Sequence, residues 1–491
     1  MTQQLQYQIT SAETSDTGVK EPSVYQESLF SEFKTTFDSN VPYVDRLCEL
    51  LSGDLSFRGY DTSYASHDLH SFPAKFPPQL PQRFILGLTR HGEVVLDPMM
   101  GSGTTIVEAC LADRQAIGFD IDPMARLITQ VKTKSLDAEA AVELGREILK
   151  KATSMVQTDG VSLSAKLETR WDEKTKAFVD YWFAPETKVE LMALITQIEK
   201  ISDSSLRAFF ELVFSACIIT KSGGVSLAFD LAHTRPHKAK VVLSPSGMVI
   251  SGDEHRQNPT ARTQFLTKTL RSPLVEFQKR FQQNVKSLIE IRRIEVVPRL
   301  DLADAQRLPL KDNIVDLVVT SPPYASNAID YMRAHKFSLV WLGYRTDELT
   351  DTRKLCIGGE GVAEFSFEDL PPHTATIVKE ISQIDADKGS VLHRYYSEMN
   401  RVLREIHRVL KPGKAAVVIV ASSNMRGIDT QTDKCLAEIG ETVGLSVPKI
   451  GIRQLDRDRR MMPAGMKIDY SSQIQQRMHE EYVIGFFKAE S

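Results

Sequence analysis

Two short stretches of this 491-residue chain concentrate residue types suited to holding and transforming a ligand. The first runs Asp97-Pro98-Met99-Met100-Gly101-Ser102-Gly103-Thr104, and Asp120 follows 17 residues after Gly103. Glycines let a backbone approach a ligand closely, and carboxylates accept hydrogen bonds from hydroxyls or balance a cation. A triphosphate would require the pattern G-x-x-x-x-G-K-[ST], whereas this loop is acidic and lacks lysine. A cationic or hydroxyl-bearing ligand is the better match. Asp120 is placed for a ribose; Asp122 is the alternative acid, unless it caps the helix that opens at Pro123. The second stretch is Ser321-Pro322-Pro323-Tyr324. Ser321 Oγ and the Pro322 carbonyl are acceptors, and proline aims its carbonyl through a fixed φ without adding an N–H. Tyr324 supplies a flat face for stacking rather than an acid or a base. Each motif alone has a plainer reading, a tight glycine turn or a proline turn around a packed tyrosine.

The flanking patterns say what must position them. EVVLDP is an apolar run closed by Asp97, and IVEACLA resumes at helical spacing after the glycines. AIGFDID repeats the strand, and Pro123 opens another helix. Two β-α units in succession predict an α/β, doubly wound, mostly parallel sheet of Rossmann-like type. VDLVV precedes Ser321, so both motifs fall at the carboxyl ends of strands, where such sheets bind ligands. Met399, Val402, Leu403, Ile406, Val409 and Leu410 mark a helix before the strand AAVVIVA, and VPKIGIRQL and EEYVIGFFK read as two closing strands.

Taken together, DPMMGSGTT, GFDIDP and TSPPY resemble the signatures of the S-adenosylmethionine-dependent amino-methyltransferases of DNA. The similarity extends to HSFPAKFPPQLP (His70 to Pro81), NAIDYMRAHKFSLVWLG, LKPGKAAVVIV and RMHEEYVI, spanning roughly residues 67–134 and 296–488. The resemblance implies that Phe76 and the loop bearing Asp97, Pro98, Gly101, Gly103 and Thr104 surround the methionine part of S-adenosylmethionine. It implies further that Asp120 holds the ribose and that Asp304 with its neighbours contacts the adenine. Ser321, Pro322, Pro323 and Tyr324 become the catalytic tetrapeptide. An exocyclic amino nitrogen is a poor nucleophile because its lone pair is delocalised into the ring, so acceptors must orient its hydrogens. A base swung out of the duplex would stack on Tyr324. No Pro-Cys dipeptide occurs, which removes covalent thiolate attack on a ring carbon. A leading serine resembles cytosine-N4 enzymes more than adenine-N6 enzymes. Adenine N6, an RNA amino-methyltransferase and a binding module without turnover are the alternatives, the intact tetrapeptide opposing the last.

The expected organisation is a disordered tail over residues 1–28, a split catalytic domain over 29–134 and 296–491, and a largely helical insertion over 135–295 as the candidate target-recognition region. The chain totals 60 Lys and Arg against 64 Asp and Glu, a net charge of −4. Residues 231–294 invert that balance, with twelve Lys or Arg against four acids. Arg235, Lys238 and Lys240 in HTRPHKAK are the candidate DNA contacts, with Arg256, Arg262, Lys268 and Arg271 beyond them. Tyr181, Trp182 and Phe183 read as core, Gly358 to Ser390 as a surface loop, and RQLDRDRRMMP as a second basic cluster.

Composition excludes other classes. Charged residues make up 25 % and apolar residues 42 %, which rules out a uniformly basic nucleic-acid coat. No apolar run approaches the ~18 to 20 residues that span a bilayer, and no export signal is visible, so the cytoplasm is expected. Five scattered cysteines without C-x-x-C spacing, and His67 and His70 without partners at ligand spacing, give no disulfide framework and no metal site. Double-stranded DNA is the expected partner, with a cognate restriction endonuclease as the candidate protein partner.

Overall fold

A computed structural model describes residues 40–73, 75–220, 224–231, 236–244, 246–252, 267–291, 294–325, 330–359, 361–455 and 480–490. The tail expected over residues 1–28, and Arg235, Arg256 and Arg262, lie outside them.

The chain forms α1 (Tyr43–Ser52) and α2 (Gln79–Leu88), then β1 (Val94–Asp97), α3 (Thr104–Leu111), β2 (Gln115–Asp120) and α4 (Pro123–Lys132). Helices α5 (Ala138–Thr158), α6 (Gly160–Thr169), α7 (Glu173–Trp182), α8 (Pro185–Ile198) and α9 (Ser204–Ile218) follow. Short strands β3 (Ala228–Asp230), β4 (His237–Lys238), β5 (Val241–Leu243), β6 (Val249–Ser251) and β7 (Thr267–Thr269) lead into α10 (Pro273–Ile291). The main sheet resumes with β8 (Arg299–Leu302) and β9 (Val315–Thr320). Then come α11 (Tyr331–Leu339), α12 (Thr346–Lys354), α13 (Pro372–Ile384), α14 (Ala386–Val409) and β10 (Leu410–Val420). The chain closes with β11 (Asn424–Met425), β12 (Ile428–Asp429), α15 (Thr432–Thr442), β13 (Ser446–Gln454) and β14 (Glu480–Lys488).

Seven strands make the main sheet in the order β13-β14-β10-β9-β1-β2-β8. From β8 to β10 every neighbour is parallel, while β14 runs antiparallel to both β10 and β13. The sheet is therefore α/β and mostly parallel, as the two β-α units predict. From β1 the chain steps outward through β2 to β8, then returns to pair β9 on the other side of β1. That reversal is the topological switch point, where such sheets open a ligand crevice. Every residue of β9 is buried, the near-continuous apolar pattern of a parallel strand covered on both faces. Its fellow core residues Leu96, Val418, Tyr395, Met399 and Leu403 join the sheet to one apolar face of α14.

Ser39–Ser491 forms one compact unit. Between Ala138 and Ile291 the chain is mostly helical, with β3–β4 and β6-β5-β7 as two small sheets. This stretch packs onto the sheet domain through α9, which meets α4 and α11. Phe178 and Phe183 of the α7 region pack edge-on against Phe337 and Trp341. Phe183 is buried and Trp182 half-buried, as expected of core, but Tyr181 is 55 % exposed. A second correction concerns Gly358 to Ser390, read as a loop. Pro372–Ile384 is helical, and α14 begins at Ala386. Ile377 and Ile381, four apart, are buried, an apolar stripe that the Gly-rich and acidic flanks hide.

Candidate active site

The loop between β1 and α3 is tied down by its neighbours. Asp97, 2 % exposed, accepts from the Met99 N–H at 3.1 Å and from Thr320 Oγ1 at 2.7 Å. The second bond links the end of β1 directly to the end of β9. Thr105 reinforces it by donating to the Val319 carbonyl at 3.2 Å. Met100 N–H bonds the Phe119 carbonyl on β2 at 2.9 Å. Gly101 and Gly103 both have positive φ, 48° and 75°, and Gly103 caps α3.

The two acids after β2 divide their work. Asp120 accepts from the Gly101 N–H at 2.9 Å and the Asp122 N–H at 2.9 Å, so it faces the glycine loop. Asp122 caps α4 by accepting from Met124 N–H at 2.9 Å, and its second oxygen lies 2.5 Å from His335 Nδ1. Asp304, just past β8, accepts from Gln306 N–H at 2.9 Å, and Ala303 N–H bonds the Asp120 carbonyl at 3.1 Å. Asp97, Asp120 and Asp304 thus stand at the ends of the adjacent parallel strands β1, β2 and β8.

Aromatic rings close the glycine loop from above. A Cβ on Gly101 would meet the Phe72 ring at 3.3 Å. Phe72 stacks on Tyr331 with centroids 4.9 Å apart and an interplanar angle of 19°. Phe76, expected beside the cofactor, is half-buried, and Phe72 four residues earlier is the ring that meets Gly101. Beneath the loop, fully buried Lys132 donates to the Ser102 carbonyl at 2.8 Å. Its charge is therefore not offered to a ligand, and burial holds its ammonium well below the usual lysine range. His67, Tyr64 and Gln82 converge on buried Glu108, whose carboxyl burial pushes up to about 8. His70 bonds Ser215 at 3.0 Å.

The tetrapeptide leaves β9 at the switch point. Pro322 is buried, and Ser321, Pro323 and Tyr324 are half-buried. Ser423 Oγ donates to the Ala325 carbonyl at 2.7 Å and pins the end of the turn. Tyr324 donates to Glu481 Oε1 on β14 at 2.8 Å, and Arg453 pairs with the other oxygen of the same carboxylate. Sequence reasoning did not single out Thr320, Phe72, Tyr331, Glu481 or Arg453 as site residues. Each lies inside a segment that carried a signal, Thr320 before Ser321, Phe72 in HSFPAKFPPQLP, Tyr331 in NAIDYMRAHKFSLVWLG, Glu481 in RMHEEYVI and Arg453 in RQLDRDRRMMP, but none was marked by its own residue type.

The basic stretch is reshaped. Lys268 is buried and donates to the Ser226 and Ala228 carbonyls, both at 2.7 Å, and Arg271 pairs with Glu276. Lys268 is thereby spent on the backbone, while Arg271 keeps 44 % of its side chain exposed. Lys238 lies 3.6 Å above the exposed Tyr181 ring, and Lys240 is exposed. In RQLDRDRRMMP, Arg453 is drawn into the Glu481 pair, and Asp456 to Pro463 lie outside the described residues.

Residues 20–130 match the sequence model of the DNA methylase family of N6 and N4 methyltransferases. The chain is similar, over that stretch and over much of its length, to DNA methyltransferases. It is 23 % identical over 427 residues to the type II methyltransferase M.MvaI of Kocuria varians, covering 82 % of this chain and 87 % of that protein. Against the type II methyltransferase M.BsoBI of Geobacillus stearothermophilus it is 22 % identical over 435 residues, covering 78 % and 79 %. A 64-residue stretch, 13 % of the chain, is 48 % identical to 18 % of the type II methyltransferase M.BglI of Bacillus subtilis.

S-adenosylmethionine is the cofactor of this methyltransferase, and the donor set fits it. When bound, it supplies an electrophilic methyl group on a sulfonium. Two acids at the glycine loop, with the Lys132 ammonium tied to the Ser102 carbonyl, match a ligand that carries cations and ribose hydroxyls. Asp120 keeps acceptor capacity beyond its two N–H donors, because a carboxylate offers about four lone-pair sites. No helix among the described residues is long and apolar enough to cross a membrane.

Clustering these acids has a measurable consequence. Burial pushes the Asp97 carboxyl up to about 6. Burial, then Asp122 and Asp97, pushes Asp120 up to about 7. Raised carboxyl values mean that their contribution to stability is full below about pH 4 and is lost as pH rises through 6 and 7. The melting temperature of the cofactor-free protein is expected to carry a component that falls over this window and is reduced in Asp120→Asn. Identical pH profiles for wild type and variant in a calorimetric series would refute this assignment.

Proposed function

We propose that this methyltransferase acts at a specific site in duplex DNA, on the exocyclic amino group of a base swung out of the helix, with cytosine N4 the favoured target. The observation that carries the reading is the Ser321–Tyr324 turn leaving β9 beside the acidic glycine loop, joined to it by the 2.7 Å bond from Thr320 to Asp97. Ser321 Oγ and the Pro322 carbonyl accept the amino hydrogens and turn the nitrogen toward the cofactor methyl group. Pro322 and Pro323 stiffen the turn, so the acceptors are aligned before the base arrives. Tyr324 receives the base on its ring.

Within the cofactor crevice, Asp97, Pro98, Gly101, Gly103 and Thr104 surround the methionine part, Phe76 packs nearby, Asp120 holds the ribose and Asp304 approaches the adenine. The serine that heads the tetrapeptide supports cytosine N4 over adenine N6. Residues 135–295 are the proposed recognition region, with Lys238 and Lys240 toward the phosphates and Arg235 in the same basic stretch. The type II naming of its relatives supports a cognate restriction endonuclease as the partner and the cytoplasm as the site of action.

The test is incubation of the purified protein with methyl-labelled cofactor and duplex DNA, followed by nucleoside analysis. N4-methylcytosine is the expected product. N6-methyladenine would overturn the base assignment, preferential labelling of competing tRNA would overturn the DNA assignment, and no incorporation into any duplex would overturn the reading as a whole.

A further inference from the structure

Among the described residues, 64–73 and 75–78 belong to no helix or strand, yet Phe72 in their midst stands against Gly101. A segment without a backbone ladder takes its position from side-chain bonds and packing. Here those bonds converge on one group. Glu108, 1 % exposed, sits on α3 just past the glycine loop. Its Oε1 accepts from the Tyr64 hydroxyl at 2.7 Å and lies 2.7 Å from His67 Nε2, and its Oε2 accepts from the Gln82 amide at 3.0 Å. Tyr64 and His67 open the segment and Gln82 lies in α2, which follows it, so one carboxyl group fastens both ends of a strap. The several lone pairs of a carboxyl group let a single side chain hold three partners. A second tie runs through Lys132. Ser66 Oγ donates to the Lys132 carbonyl at 2.8 Å, while the Lys132 ammonium donates to the Ser102 carbonyl of the glycine loop at 2.8 Å. Lys75 Nζ closes the strap on itself by donating to the His67 carbonyl at 2.7 Å. Between these ties the Phe72 ring stands 3.3 Å from where a Cβ on Gly101 would lie, and it stacks on Tyr331 of α11.

We propose that Glu108 is a positioning residue for the cofactor, clasping the strap so that the Phe72 ring walls the crevice in which S-adenosylmethionine binds. The inference rests on the placement of the cofactor at the glycine loop given above. A wall set in advance raises affinity, because the ordering of the strap is complete before the ligand arrives. Tyr64, His67 and Gln82 then act on the cofactor through the strap, and Glu108 acts through all three.

The experiment measures the S-adenosylmethionine dissociation constant by calorimetry without DNA, and amide hydrogen exchange of residues 64–73 in the cofactor-free protein. It compares wild type, Glu108→Ala, Glu108→Gln, Phe72→Leu, the Glu108→Ala/Phe72→Leu pair and Tyr64→Phe/Gln82→Met. Glu108→Ala strips three partners of their common acceptor and is expected to raise the dissociation constant ~10-fold and to speed exchange in the strap ~10-fold. Glu108→Gln is expected to recover the affinity to within ~3-fold of wild type, because Gln82 Oε1 is buried without a hydrogen-bond partner and a turn of that amide lets it accept from the new one. Phe72→Leu keeps the clasp but removes the wall, so it too should cost ~10-fold, and the pair should cost no more than ~20-fold, since residues acting through one path are not additive. Costs that multiply to ~100-fold, a loosened strap at wild-type affinity, or a loss that Glu108→Gln does not recover overturn the proposal. Should Glu108→Ala fail to fold, Tyr64→Phe/Gln82→Met removes two of the three partners with the carboxyl group kept, and wild-type affinity there overturns the proposal equally. Asp120→Asn is measured alongside. If it binds S-adenosylmethionine as tightly as wild type, the placement of the cofactor fails instead, so the two failures are told apart.

Discussion

Replacing Gly103 with alanine is expected to lower stability by ~2 to 5 kcal/mol and to weaken cofactor binding with it, ~1 to 2 kcal/mol arising from a left-handed backbone and ~1 to 3 kcal/mol from overpacking. At φ 75° an L side chain is strained whatever the space around it. Here there is also no space: a Cβ would stand 2.5 Å from Thr129 Oγ1 and 2.6 Å from its Cγ2. Thr129 is fully buried on α4 and β-branched, so its χ1 freedom is restricted. The strain would fall on the loop that carries Asp97 and the Gly101 N–H, the group that Asp120 binds. Gly59 is the control. Its φ is 82° but nothing lies within 4 Å of a Cβ there, so Gly59→Ala should show the backbone cost alone. Denaturant titration and cofactor titration check both variants. Equal losses at the two glycines would remove the packing half of the explanation, and Thr129→Ser combined with Gly103→Ala should recover part of it.

Tyr324→Ala is expected to lower the efficiency of methyl transfer to DNA by roughly 10- to 100-fold, since stacking a base on an aromatic ring is worth ~1 to 3 kcal/mol. Cofactor affinity should stay close to wild type, because the bonds that order the glycine loop, from Thr320 and from Gly101, do not involve Tyr324. The variant also leaves Glu481 Oε1 without its hydroxyl donor, although Arg453 still balances the charge. A fluorescent base analogue at the target position offers a second readout, its signal falling if the extruded base loses its platform. Undiminished incorporation by Tyr324→Ala would sink the assignment of this ring. Comparison with Tyr324→Phe separates the ring face from the hydroxyl.

Much of the cofactor crevice was legible in the sequence because its signals are local. Strand, glycine turn and helix are adjacent in EVVLDPMMGSGTTIVEACLA, so the pattern alone places Asp97, Gly101 and Gly103 where the sheet ends. The all-apolar run before Ser321 does the same for β9. The order of the strands was not legible, since nothing in a strand's own residues states its neighbour. Nor could composition separate Lys238 and Lys240 from Lys268. All are lysines of one basic stretch, yet the third is buried on two carbonyls by the way β7 packs.

Sequence by itself determined the chemistry available to this protein. Two acids at a glycine turn suit a cationic, hydroxyl-bearing cofactor, and a serine, two prolines and a tyrosine suit an amino group on a flat ring. Those properties belong to side chains and to fixed φ angles, which travel with the residue. Tertiary structure decided which copies are used and in what orientation. It chose Asp120 over Asp122 for the loop by turning Asp122 to the start of α4 and to His335. It brought Phe72 rather than Phe76 onto Gly101. It set Glu481 beneath Tyr324 across 157 residues of chain, through a strand that runs back beside β10. Hydrogen-bond direction and ring contact depend on distances of about 3 to 5 Å between groups remote in sequence, and only folding sets those distances.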